Sequence, residues 1–256
     1  MAYETLRLDL DGHVAVVTLD RPPVNALNRQ ARHEIISVFD EISVRDDIRS
    51  AVLTASGKVF CSGADLKDRP NPDIVGDFLE HNRVTRETGN AIRECSKPVV
   101  AAVNGAALGA GLGLMAACDI YYASETATFG MPEINVGLAG GASMLHTLFG
   151  RSTMRRMFYT GVRLTAAELL ERNIIEAVTS PEELLPTALA VAQDIASKSP
   201  LAIRYAKHAM TISEYMPQRD AYRMEQNYTM ALAQTDDAKE ARMAFLEKRE
   251  PKFTGR

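Results

Sequence analysis

Through its first half the chain alternates short apolar runs with segments of helical period, and turns of glycine and small residues close those runs. Ser50–Thr54 (SAVLT) and Pro98–Val103 (PVVAAV) carry no in–out alternation, so they predict buried strands inside an α/β core rather than half-exposed ones. Ahead of them, Thr5–Leu10 and His13–Leu19 read as two strands joined at Asp11-Gly12, a dipeptide suited to a tight hairpin. Arg21-Pro22-Pro23 ends that pair. Ala31, Ile35, Val38, Phe39 and Ile42 then recur at helical spacing from about Asn28 to Ser43. A second helix is expected after the polar stretch Asp68–Asp73, running to about Glu94. The Gly-rich run Leu108–Leu114 passes into a small-residue helix ending near Ala117, and Asp119–Ala123 and Ala127–Phe129 add short strands. From about Ala139 onward the pattern is helical, broken by Ile174–Val178 and by Pro181, Pro186 and Pro200. Residues 1–195 are thus expected to form the α/β core that carries the site. Residues 196–256 are expected to form a helical region for assembly.

Charge and cysteine usage narrow the function. The 256 residues hold 29 Lys and Arg against 33 Asp and Glu, a net charge of -4, which argues against a dedicated nucleic-acid binder. The first helix mixes Arg29, Arg32 and Arg45 with Glu34, Asp40, Glu41, Asp46 and Asp47, so it offers no cationic stripe. Cys61, Cys95 and Cys118 are too few and too scattered for a disulfide framework and read as free thiols of a reducing compartment. No Cys/His spacing suits a metal. The opening, Met1–Leu10, has neither the basic start nor the apolar stretch of a leader, and no apolar run approaches the roughly 18 residues of a spanning helix. A cytoplasmic protein with no membrane partner is expected.

Two turns offer chemistry. Gly109-Ala110-Gly111-Leu112-Gly113 follows a strand and opens a helix, yet it lacks the spacing of a dinucleotide fingerprint, and no phosphate loop is present. Ser62-Gly63-Ala64-Asp65 is a second small-residue turn after a buried strand. Two such turns can aim two backbone N–H groups at one oxygen, the geometry of an oxyanion hole; close helix–strand packing is the plainer use of the same glycines. Glu133 follows Pro132 and has two open readings. It is a favourable charge in a first helical turn, or a carboxylate among Phe129, Met131, Ile134 and Val136 with a pKa raised for proton transfer. His146, Asp68 and His81 stand isolated, and no Ser-His-Asp or Cys-His set can be assembled.

Taken in order, FCSGADLK (Phe60–Lys67), NGAALGAG (Asn104–Gly111), CDIYYAS (Cys118–Ser124) and TFGMPEINVGL (Thr128–Leu138) resemble the crotonase family, the enoyl-CoA hydratases and isomerases. RPPVNAL (Arg21–Leu27) and AFLEKREPKF (Ala244–Phe253) extend the likeness over nearly the whole chain. The resemblance implies a spiral of ββα turns and a helical C-terminal region that builds trimers or hexamers. It implies an acyl-CoA substrate and no cofactor besides that CoA. Its oxyanion donors fall on the amides of Ala64 and Ala110, the latter where relatives more often have Gly. Of the two hydratase glutamates, one is present as Glu133 and the other is replaced by Gly113. A single carboxylate suits double-bond isomerisation; hydration or hydratase-lyase chemistry, in fatty-acid or aromatic-acid degradation, is the alternative, and a non-catalytic acyl-CoA binder a further one. The resemblance also puts Asp65, Leu66, Lys67, Phe245 and Lys248 near CoA, and Gly63, Gly109, Gly113, Leu138 and Gly141 around the acyl pocket. For Phe245 and Lys248 the plainer expectation is an amphipathic helix with Phe inside and Lys outside.

Overall fold

In the computed structural model, which describes residues 3–256, Gly12 turns the chain at φ +58° and pairs β1 (Leu6–Asp11) antiparallel with β2 (Val14–Leu19). Met1 and Ala2, which begin the stretch read as free of a leader, lie outside the described residues. Asn28 starts α1 (Arg29–Val44) by accepting the Ala31 N–H at 2.9 Å, which satisfies one of the helix's unpaired first-turn donors. Then come β3 (Ser50–Ala55), α2 (Asp77–Arg93), β4 (Val99–Val103), the two-residue β5 (Ala107–Leu108), α3 (Ala110–Ala117), β6 (Ile120–Ser124) and β7 (Thr128–Gly130). Two 3-10 turns, Pro132–Val136 and Ala142–Leu145, lead to α4 (Arg151–Thr160), β8 (Arg163–Thr165), α5 (Ala166–Glu171) and β9 (Ala177–Thr179). Four helices finish the chain: α6 (Pro181–Ala196), α7 (Pro200–Ser213), α8 (Gln218–Leu232) and α9 (Asp236–Glu247).

The main sheet has the order β1-β2-β3-β4-β6-β9, parallel throughout except for the opening hairpin. Its central strands are buried on both faces, and the period of two divides their side chains between two cores. Ala51, Leu53, Val99 and Ala101 face the core that holds Ile35, Val38 and Phe39 of α1. Val52, Val100 and Ala102 face α6, which meets them with Leu184, Ala188, Ala192 and Ala196. Alanine every fourth residue lets α6 approach closely enough for Ser50 Oγ to donate to the Ala192 carbonyl at 2.7 Å. Phe39 is fully buried; truncating such a side chain to Ala typically costs about 3–5 kcal/mol.

A smaller sheet, β5-β7-β8, sets the site. A single parallel bridge at Cys61–Ala107 laces the loop after β3 to it, and another at Leu27–Ala64 ties the same loop to the segment before α1. Beyond α6, the buried ammonium of Lys207 on α7 donates to Asp119 Oδ2 at 2.8 Å and to the Lys97 carbonyl at 2.9 Å, tying the C-terminal helices to the end of β4. No described helix is long and apolar enough to cross a membrane.

Two expectations are corrected. The helical reading from Ala139 misses β8, and the stretch before α4 is a loop with one 3-10 turn. Gly141 at φ +95° breaks any helix there, and a three-residue strand shows no period; pairing of Leu164 with Phe129 makes it. The strand expected at Ile174–Val178 is Ala177–Thr179. Ile175 enters the core from the preceding turn, so its apolar side chain imitates a strand residue without being one.

Candidate active site

Two turns meet beneath the small sheet. In the first, Leu27 donates to the Gly63 carbonyl at 2.8 Å and receives the Asp65 N–H at 3.0 Å. Both bonds lie on one side of the strand-like segment, so the Ala64 N–H between them points the other way. It donates to no acceptor among the described residues. Gly63 sits at φ +98°, and a Cβ there would stand 2.9 Å from the Leu108 carbonyl and 3.5 Å from the Ala110 nitrogen. Only glycine lets the turns come this close. The second turn is anchored by Leu108 N–H to the Cys61 carbonyl (2.9 Å) and Gly109 N–H to the Gly130 carbonyl (2.8 Å). Gly109, at φ +53°, hands the chain into α3 without a capping side chain, which leaves the Ala110 N–H without an acceptor among the described residues at the helix's positive end. The plainer packing role belongs to Gly111, whose Cα lies against Cys61.

Glu133 completes the group. Pro132 opens the 3-10 turn as expected of a first-turn proline, and Gly137 closes it in the left-handed conformation. The Glu133 carboxylate lies directly on the Cα of Gly109: a Cβ there would overlap Oε1 and stand 3.3 Å from Cδ. Oε2 is buried with no hydrogen-bond partner among the described residues. Burial lifts the carboxyl above its ordinary value, only weakly opposed by its own backbone N–H. The apolar surroundings differ from those expected. Phe129 and Met131 are buried, whereas Ile134 and Val136 are about half exposed and leave glycine to form the wall.

Around this centre the expected pocket residues divide. Gly113 and Gly141 line one cavity of about 510 Å³ between α2, α3 and the loop before α4. Gly63 and Gly109 are buried in the turns themselves, and the half-buried Leu138 donates its N–H to the Glu133 carbonyl at 2.9 Å. A side chain at Gly113 would meet Met144, whose Cε would stand 2.5 Å from a Cβ added at Gly113 and 3.5 Å from one added at Gly89. Met144 thus fills the space where the resemblance leads one to look for a second carboxylate. Nothing in the sequence singles it out, since it falls in a run read as helix.

The CoA candidates are dispersed. Asp65 pairs with Arg21 at 2.8 Å and accepts the Lys67 N–H at 3.0 Å; that N–H, with Arg21, holds its carboxyl below the ordinary range. Asp65 therefore shapes the turn, and Leu66 and Lys67 are left exposed beside it. On α9 the expectation of an inward Phe fails: Phe245 is 83 % exposed and Ala244 takes the buried position. Lys248 caps that helix at φ +53°. No hydrogen bond or ion pair among the described residues joins either to the turns at Ala64 and Ala110. Asp68 and His81 are not isolated: the Asp68 carboxylate accepts the Arg29 N–H at the start of α1, and partial burial, with Arg32 and Arg29 nearby, holds His81 below its ordinary pKa.

The two turns, the carboxyl lying on one of them and the adjoining cavity are carried on a crotonase fold. The chain superposes on Pseudomonas aeruginosa DspI with a TM-score of 0.94 at 31 % identity, covering 99 % of this chain and 98 % of that one. It superposes on a Bacillus anthracis enoyl-CoA hydratase with a TM-score of 0.92 at 32 % identity, covering 99 % and 100 %. In sequence it is 37 % identical over 235 residues to the (7aS)-7a-methyl-1,5-dioxo-2,3,5,6,7,7a-hexahydro-1H-indene-carboxyl-CoA hydrolase of Mycobacterium tuberculosis, spanning 92 % of this chain and 95 % of that protein. Residues 9–256 match the family model for enoyl-CoA hydratase/isomerase, and the chain belongs to that family.

Proposed function

We propose that this enzyme moves a proton along the acyl chain of an enoyl-CoA thioester through an enolate, with Glu133 as the only proton carrier. The observation that carries this reading is one carboxyl of raised pKa, its Oε2 buried, beside two amides, none of the three having a partner among the described residues. In the proposed reaction Glu133 takes a proton from the carbon next to the thioester carbonyl of a 3-enoyl substrate. The electron pair moves into the carbonyl, whose oxygen the Ala64 and Ala110 N–H groups hold; each such donor is typically worth about 3 kcal/mol of barrier. The same carboxylic acid then gives its proton to the far carbon of the double bond, and the carboxylate is restored. A raised pKa suits a group that must both take and return a proton near neutrality.

Met144 above Gly113 supports isomerisation over hydration, because water addition calls for a second group to activate the water. Hydration is the second reading, and the Bacillus anthracis hydratase favours it. A parallel assay separates them. Isomerisation makes conjugated enoyl absorbance grow from a trans-3-enoyl-CoA with little loss from the trans-2-enoyl isomer. Rapid loss from the 2-enoyl substrate would replace the proposal with hydration. Binding of acyl-CoA with no turnover of any acyl-CoA that Glu133→Gln abolishes would make the protein a binder. Assembly into trimers or hexamers belongs to the same proposal: exposed Tyr222, Met230, Phe245 and Leu246 on α8 and α9 offer apolar surface for a second copy to cover. Phe245 and Lys248 would then reach a neighbour's CoA, and light scattering reads the assembly size.

A further inference from the structure

The cavity that adjoins Gly113 and Gly141 is not built for a plain hydrocarbon. Along one stripe of α2 it is lined by Thr85, Arg86, Asn90 and Arg93, and across from them by Tyr215. Two arginines line it, of which Arg86 is exposed, and no acidic residue does. Arg93 is already answered: it pairs with Glu214, and its guanidinium lies 5.1 Å from the centre of the Tyr215 ring. Arg86 has no ion pair or hydrogen bond among the described residues, and Thr85 Oγ1 is buried with no partner. An alkyl tail lying here would strip water from Arg86 and Asn90 and return no hydrogen bond. An acyl chain ending in a carboxylate would supply an acceptor to Asn90 and a counter-charge to Arg86 in the planar geometry a guanidinium favours.

From this juxtaposition we infer that the acyl group of the substrate carries an anionic, oxygen-bearing end, received by Arg86 with Asn90, so that Arg86 determines specificity. The inference rests on the reading of the Ala64–Ala110–Glu133 centre as an acyl-CoA site, because it takes Gly113 and Gly141 as the reactive end of the cavity.

Unreactive saturated thioesters test it without reference to the reaction catalysed. Calorimetry would compare hexanoyl-CoA with adipoyl-CoA, butanoyl-CoA with succinyl-CoA, and octanoyl-CoA with suberoyl-CoA. The carboxylate form is expected to bind about tenfold tighter at one of these lengths, with a preference that shrinks as salt rises. Arg86→Gln should bring that pair of affinities together, and Arg86→Lys should keep part of the gap. Equal affinities at all three lengths, or a preference that survives Arg86→Gln, would overturn the inference and leave the acyl-CoA reading intact. If neither the uncharged thioesters nor their carboxylate counterparts give a heat of binding, the acyl-CoA reading fails, and this inference fails with it.

Discussion

Replacing Gly109 with alanine would probe the centre through a residue that carries no functional group. The added methyl overlaps Glu133 Oε1 and comes within 3.3 Å of Cδ, so the carboxylate must retreat by roughly an ångström to reach ordinary contact. Glutamate is flexible enough to do so. The consequence therefore falls on chemistry, where a misplacement of about an ångström costs on the order of a hundredfold in rate. The backbone adds a separate effect: φ +53° with ψ -122° is a glycine conformation, and holding alanine there costs about 1–3 kcal/mol. At about 2–4 °C per kcal/mol for a chain of this size, the melting temperature should drop by roughly 3–10 °C. The two effects separate by assay. Thermal unfolding reads the strain, and turnover of the best enoyl-CoA at saturation, well below the melting temperature, reads the displaced carboxylate. In a Glu133→Gln background, Gly109→Ala should lower the melting temperature by a similar amount and cost far less in rate than in the parent, because the carboxylate is gone and only the Ala110 donor remains to be displaced. A folded Gly109→Ala enzyme turning over within threefold of the parent would refute the placement of Glu133 as proton carrier.

Glu133→Gln alone should lower turnover by about a thousandfold or more. Its effect on stability should depend on pH: the carboxyl titrates above its ordinary value of 4.5 in the folded chain, so ionisation burdens the fold once pH exceeds that value. Unfolding midpoints should show the variant gaining on the parent as pH rises from 4 to 7; a constant difference would sink the burial argument. Gly113→Glu combined with Met144→Ala, which clears the methyl 2.5 Å from the new Cβ, should raise hydration of a 2-enoyl-CoA about tenfold or more. An unchanged hydration rate would mean that water is activated elsewhere. Arg32 is only 3 % exposed and its guanidinium has no partner among the described residues, so Arg32→Met should stabilise the fold by about 1–3 kcal/mol. A lower melting temperature would show that the guanidinium is satisfied in solution. Lys207→Ala would strand the Asp119 carboxylate, which keeps some contact with water, and should cost about 2–3 kcal/mol in denaturant unfolding. A loss below about 0.5 kcal/mol would reduce that pair to a surface ion pair.

Much of the fold was legible because its signals are local. Asp11-Gly12 marks a hairpin through turn geometry, SAVLT and PVVAAV mark strands buried on both faces, and the spacing of Ile35, Val38, Phe39 and Ile42 marks the inner face of α1. β8 was not legible, because three residues carry no period and its existence depends on a partner strand far away in sequence. The same division runs through the site. The sequence determined by itself that two small-residue turns follow strands, where backbone amides could serve chemistry or glycines could serve packing; the family resemblance, not the residues alone, set Gly113 against a second glutamate beside Glu133. Tertiary structure alone decided what surrounds them. It set the carboxylate on Gly109, left Oε2 unpartnered, turned Ile134 and Val136 outward and placed Met144 over Gly113. It also gathered Thr85, Arg86 and Asn90 onto the wall of the adjoining cavity. Burial and charge pairing are sums over neighbours from distant segments, and no window along the chain contains those neighbours.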